Sequence, residues 1–325
     1  MKKRPAAEKH LPSWVKRSKR TGGASGLTDG ELQQLPGRPA LVRSWNSTAD
    51  LRNKVAAALL PEWWIRLVME AALIAQTQSV LALVEFFAGL AALTRAVEEF
   101  VGPSIAYDNK YGVKYDLLTD IGLKFALTLL LRLSQNGHSH YGTPCQSWVA
   151  LSRSWSQRSP FLPSGPPRNQ CSHRLWRYLE KHNRLAELTA LLIRTGKAIG
   201  ASFTLEQPVS SLIFAFDPMV RALVGSEHIS FEMGSFQGES PKPLRLQGNV
   251  EWLQTFRAVS KARKKTSAKP TSRLASSDAR GGFTGRKKEL ESSSAYTQAF
   301  GRAFALCMLG CSAPDVVARL AALGH

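Results

Sequence analysis

Apolar and polar positions alternate in a way that separates a patterned middle from two unpatterned stretches. Residues 1–43 mix Lys and Arg with Pro, Gly and Ser and hold no hydrophobic period, which predicts a disordered tail. Over 47–76 apolar residues recur at helical spacing, at Leu51, Val55 and Leu59 and again at Ile65, Val68 and Met69, with Ser47 or Thr48 as a cap. The character changes at 79–87, a short apolar run that ends in Ala88-Gly89, after which helical spacing resumes from Leu90 to Phe100. This reads as a buried parallel strand, a tight turn and a helix.

The unit recurs along the chain. A strand is expected at 104–108, a turn and strand edge at 115–121, an amphipathic helix at 122–134 and a strand at 139–141 that leads into a loop. A Pro/Ser/Arg-rich loop over 152–170 precedes a long helix with Leu175, Leu179, Leu188, Leu191 and Leu192 inward, then a strand at 201–205. Further strands are predicted at 228–233 and 244–246, a helix at 250–259, a loop at 261–294 and a terminal helix at 296–310. Such alternation predicts an α/β fold with a mostly parallel sheet flanked by helices. The organisation is a tail (1–43), a helical extension (44–78), a main domain (79–260), a basic low-complexity loop (261–294) and a C-terminal helical segment packed on the domain (295–325).

Charge sharpens this division. The formal net charge is +19, of which residues 1–20 supply +7 and residues 257–288 supply +10, so the folded body is nearly neutral. Two basic appendages point to a polyanion, DNA with RNA possible, held through the tail and the loop. The runs Lys2-Lys3-Arg4 and Lys16-Arg17-Ser18-Lys19-Arg20 favour the nucleus over the cytoplasm. The four cysteines lack framework spacing and no apolar leader is visible, so a reducing compartment is expected. No membrane span is expected either, because the most apolar stretch, 80–97, is interrupted by Glu85 and Arg95. Cys171-x-His173 and Cys307-x3-Cys311 lack paired partners at zinc-site spacing.

The candidate chemistry sits at predicted strand ends. Gly89 lies where a strand gives way to a helix, so backbone can approach a ligand beside unpaired N–H groups. Asp108 follows 19 residues later at the next strand end, where nucleotide-binding α/β domains hold ribose hydroxyls. Asp120-Ile121 is expected at a third strand end, Cys145 follows Pro144 after the fourth, and Glu206 closes the fifth. A thiol and a carboxylate would then converge on one crevice.

These residues together resemble the DNA cytosine-5 methyltransferase family. Phe87-Ala88-Gly89-Leu90-Ala91 is similar to its Phe-x-Gly-x-Gly motif, Thr119-Asp120-Ile121 to its third motif, and Thr143-Pro144-Cys145-Gln146 to its Pro-Cys-Gln nucleophile motif. Glu206-Gln207-Pro208 stands where Glu-Asn-Val is usual, and Asp108 where the family has an acidic residue. The resemblance covers about 84–246. It implies a Rossmann-like fold that binds S-adenosylmethionine through Phe87, Ala88, Gly89, Asp108, Asp120, Ile121 and Pro144. It further implies cytosine methylation at C5, with Cys145 as nucleophile, Glu206 acting at N3 and Arg245 standing in for the family's Gln-x-Arg-x-Arg arginines. Ala91 replaces the second glycine, Gln207 the asparagine, and the target-recognition domain is nearly absent. These departures leave open a catalytically silent nucleic-acid-binding relative, or an RNA or protein acceptor.

Overall fold

The computed structural model describes residue 36 and residues 41–266, 275–277, 283–285 and 295–325. The expected basic tail and most of the expected basic loop therefore lie outside the described residues. Two helices, α1 (Thr48–Ala57) and α2 (Glu62–Ala75), come first, α1 capped by the Ser47 side chain, which accepts from the Asp50 amide. Strand β1 (Leu81–Phe86) follows and is buried along its whole length, as a central strand covered on both faces must be. Next come α3 (Ala92–Phe100), β2 (Ser104–Tyr107), α4 (Asp120–Leu130) and β3 (Leu133–Tyr141). The one-turn α5 (Arg153–Ser156), the long α6 (His173–Ala198), β4 (Ser202–Pro208) and the short α7 (Asp217–Ala222) continue the chain. It closes with β5 (Glu227–Glu232), β6 (Pro243–Gly248), α8 (Leu253–Thr266), a ribbon of β7 (Ala275–Ser277) and β8 (Phe283–Gly285), and helices α9 (Gln298–Met308) and α10 (Ala313–Ala322).

The main sheet has six strands in the order β2-β1-β3-β4-β6-β5. The pairs β1–β2, β1–β3 and β3–β4 are parallel, while β6 runs antiparallel to both β4 and β5. The fold is thus α/β with a mostly parallel sheet, reversed only at β6. Its faces bury separate cores. Val84, Phe86, Tyr141, Phe203 and Leu205 pack under α1, α2, α4, α6 and α7, whereas Leu83, Ile229, Phe231, Leu244 and Leu246 pack under α3, α8, α9 and α10. No helix among the described residues is long and apolar enough to cross a membrane.

Three sequence expectations need correction. No strand forms at 115–121: a single 3-10 turn (Val113–Tyr115) leads to Thr119, whose hydroxyl accepts from the Gly122 amide and starts α4. A strand there would bury apolar side chains, but Leu118 and Ile121 are exposed, and the acidic Asp120 instead sits on the positive end of a helix. The segment 261–266 is helix rather than loop, because Lys and Arg are good helix formers and α8 has Arg263 to lay against Phe236. Strand β3 begins at Leu133, six residues before the predicted 139, with a register shift between the Leu81 and Leu83 pairings that the apolar pattern does not announce.

Candidate active site

From β1 the chain passes to β2 on one side of the sheet and then to β3 on the other, so strand order reverses between β1 and β3. A crevice opens outside the carboxyl ends of strands at such a reversal. The turn after β1 and the loop after β3 flank it and are tied together, the Gly142 amide donating to the Phe86 carbonyl at 3.1 Å and the Phe86 and Tyr141 rings stacking at 5.0 Å.

On the β3–β4 side the loop carrying Pro144 and Cys145 is held from several directions. The Gln207 amide donates to the Thr143 carbonyl while its oxygen accepts from Ser211 at 3.0 Å, and the Leu212 amide donates to the Trp148 carbonyl at 2.9 Å. Gln207 therefore works as a strut between β4 and the loop. Buried Arg158 lies 3.6 Å over the Trp148 ring and donates to Ser147, Asn183 and the Pro163 carbonyl, and burial pulls its guanidinium down to about 10.

Cys145 is a half-buried free thiol. Burial pushes it up first, the Glu206 charge pushes it further, and Lys242 pulls it down. Glu206 is only 7 % exposed, and burial raises its carboxyl against the opposing pull of Lys242 and a Tyr296 hydrogen bond. The Tyr296 hydroxyl donates to Oε2 at 2.8 Å, while buried Oε1 has no hydrogen-bond partner among the described residues. A buried carboxylate oxygen without a donor is costly, so a donor brought by a bound molecule would be well received there. Gly142 makes the arrangement possible: a Cβ there would stand 2.9 Å from the Tyr296 hydroxyl. Lys242 and Tyr296 also line a neighbouring cavity of about 210 Å³ with Met233, Gln237 and Thr297.

The β1–β2 side is more open. Phe87, Gly89 and Ala91 all have left-handed φ, at +59°, +51° and +56°, which only glycine adopts without cost. The turn is latched by its neighbours: Asp108 Oδ2 accepts from the Gly89 amide at 2.9 Å and the Tyr111 hydroxyl donates to the Gly89 carbonyl at 3.0 Å. Ala88 is buried, whereas Leu90 (59 %) and Ile121 (63 %) are exposed, and open space adjoins Gly89. Asp120 is exposed at the start of α4.

The structure thus brings Cys145 and Glu206 together and gathers Phe87, Ala88, Gly89 and Asp108 at the adjacent turn. Arg245 is not brought in. It pairs in register with Gln207, one residue off from Glu206, so it emerges on the opposite face, where it stacks 4.0 Å from Phe214 and donates to Gln247. The cation beside Cys145 and Glu206 is Lys242. Sequence reasoning also missed Tyr296, His140 and Glu85. For Glu85 the signal was present, an acidic residue inside an otherwise apolar strand; Tyr296 comes from 90 residues beyond Glu206 and gave none. No family model, no curated protein and no solved structure matches this chain.

Proposed function

We propose that this protein transfers a methyl group from S-adenosylmethionine to C5 of cytosine in a nucleic acid, on a Rossmann-like methyltransferase fold in which β6 is the reversed strand. One observation carries the reading: a thiol in the loop after β3 and a carboxylate buried within β4, one of whose oxygens has no hydrogen-bond partner among the described residues, are neighbours. Cytosine offers complementary groups. Glu206 Oε1 is suited to hold N3 or the exocyclic amine, and its raised carboxyl favours the protonated form that donates at N3. The Cys145 thiol loses its proton to solvent and its sulfur adds at C6 as Glu206 gives its proton to N3, which makes C5 nucleophilic; after methyl transfer the C5 hydrogen leaves as a proton and the C6–S bond breaks. Neutral Glu206 also removes the negative charge that pushes Cys145 up, so one protonation event prepares both groups.

The β1–β2 turn fits the cofactor in its donor set: a half-buried carboxylate at Asp108, a glycine with open space, and exposed apolar Leu90 and Ile121. Phe87, Ala88, Gly89, Asp108, Asp120, Ile121 and Pro144 would hold S-adenosylmethionine, which supplies an electrophilic methyl group when bound. Reaching the pocket requires the base to leave its stack, at a cost of a few kcal/mol that basic segments binding phosphate offset.

A second reading, a catalytically silent nucleic-acid-binding relative, is favoured by the engagement of Asp108 with the Gly89 amide, which occupies groups a cofactor would use. The test is covalent trapping on DNA and RNA carrying 5-fluorocytosine, with S-adenosylmethionine present. The expected result is a stable adduct that Cys145→Ala abolishes and Glu206→Gln slows about 10²–10⁴-fold. An adduct that persists in Cys145→Ala removes the thiol from the mechanism. No adduct and no methyl transfer on either nucleic acid leaves the silent reading in its place.

A further inference from the structure

A buried hydrogen-bonded chain leads away from Glu206 along the sheet. Alternation puts His138 and His140 of β3 and Ser202, Thr204 and Glu206 of β4 on one face, beneath α8 and α9. His138 Nδ1 lies 2.8 Å from Ser202 Oγ and its Nε2 2.8 Å from Thr204 Oγ1. His140 Nδ1 lies 2.8 Å from the same Thr204 oxygen and its Nε2 3.0 Å from the Tyr296 hydroxyl, which reaches Glu206 Oε2 at 2.8 Å. Both rings are fully buried and held neutral, since burial pushes their ionisation far down.

Thr204 has one hydroxyl hydrogen between two ring nitrogens, so it donates to one ring and accepts from the other. The direction of the Tyr296–Glu206 bond then sets all the others, which leaves two orientations of the chain; a proton on Glu206 Oε1 keeps the first of them. With Glu206 ionised, Tyr296 donates to it, His140 donates from Nε2 to Tyr296, and Thr204 donates to His140 Nδ1. His138 then donates from Nε2 to Thr204, and Ser202 donates to His138 Nδ1. With Glu206 protonated on Oε2 every bond turns round, both rings carry hydrogen on Nδ1, and Ser202 donates instead to the Gly137 carbonyl, 3.1 Å away. Each arrangement satisfies Ser202, His138, Thr204, His140, Tyr296 and Glu206 Oε2, which favours a stable buried network.

We propose that Ser202, His138, Thr204, His140 and Tyr296 form a two-way proton relay that loads and unloads Glu206 from the far end of β4. The step balances. One proton from solvent bonds to the half-buried Ser202 oxygen, each member passes on the hydrogen it held and receives another, and one proton arrives on Glu206 Oε2. Only Glu206 changes charge. The groups facing it are Cys145, Lys242 and Tyr296; Tyr296 also faces Glu85, and the rings otherwise meet Trp252 and Phe304. Such a relay returns a proton to Oε2 as Oε1 gives its own to a base covering the Cys145 side, and a half-turn of the carboxyl then brings that hydrogen to Oε1 for the next turnover. That use rests on the methyl-transfer reading, whereas the relay is tested without any substrate, so either can fail alone.

The experiment is nitrogen-15 NMR of the histidine rings in the full chain from the acid limit of the folded state up to about pH 9, with signals assigned by single His→Asn variants. The expected result is that His138 and His140 stay neutral and exchange Nε2–H for Nδ1–H together as pH falls. Tyr296→Phe should freeze both rings out of this exchange. Thr204→Val should uncouple His138 while His140 still follows, and it serves alone if Tyr296→Phe does not fold. Rings that keep one tautomer throughout, only one ring exchanging in the wild type, or an exchange that survives Tyr296→Phe would each overturn the relay.

Discussion

The two faces of the central sheet are made by the same strands, and both bury an apolar core, but only one adds a row of carboxylates and histidines. Under α1, α2, α4, α6 and α7, β1, β3 and β4 present Val84, Phe86, Tyr141, Phe203 and Leu205 to a dry core. One residue along each strand, the other face carries Glu85, His138, His140, Thr204 and Glu206, also buried but joined into polar contacts beneath Phe300 and Phe304. The first face stabilises by burial of hydrocarbon, at about 25 cal/mol per Å². The second also holds ionisable groups where desolvation shifts them, a cost to stability that their hydrogen bonds offset in part. The comparison finds an apolar core on both faces and the strand carboxylates and histidines on one of them only.

The sharpest way to break this comparison is to cut the apolar face. Phe203 is fully buried, so Phe203→Ala should cost about 3–5 kcal/mol, equally at pH 5 and at pH 8. Urea unfolding at the two pH values checks this; a strong pH dependence of the loss would mean that the two faces are not separate.

On the polar face the effect should depend on pH. Glu85 Oε2 accepts from the Thr94 amide and hydroxyl, yet burial raises its carboxyl from 4.5 to about 7. A raised carboxyl contributes stability that is present below the unfolded value and lost as pH rises through about 7. Glu85→Gln should therefore match the wild type in acid and exceed its stability by up to about 3 kcal/mol at pH 8. Comparing the variant with the wild type at each pH cancels the histidines, whose depressed values cost stability in the opposite direction, as pH falls below 6.5. A difference that stays constant with pH would place the ionisation of Glu85 elsewhere.

The smallest effect is expected at the edge between the faces. Ala91 begins α3 at φ +56°, a conformation that costs an L-residue about 1–2 kcal/mol. Ala91→Gly relieves the strain and loosens the unfolded chain, so a net stabilisation of about 0.5–1 kcal/mol should appear as a higher urea midpoint. A lower midpoint would show that the alanine methyl contributes more by packing than its backbone costs.

The sequence by itself determined the α/β alternation, because period-2 and period-3.6 patterns record which side of each element is buried, and each pattern is local. It located β1, β2, β4, β5 and the long α6 within a few residues. It placed the glycine turn at 87–91, Asp108 and Cys145 just beyond strands, where short apolar runs stop, but Glu206, expected to close its strand, lies two residues inside β4 and pairs with Leu246. It failed at 115–121, where a capping threonine and an acidic first turn outcompeted a weak apolar run, and it overreached at Arg245, because a one-residue step in register puts a β side chain on the other face. What only the tertiary structure decided is the company each group keeps. Tyr296 reaches Glu206 across 90 residues, Lys242 arrives from the turn before β6, and Thr204 comes to lie between two histidines of a neighbouring strand. A sequence records which residues are present and how each local segment folds; the shifted protonation of Glu206 arises from desolvation and distant partners, which exist only once the strands are paired.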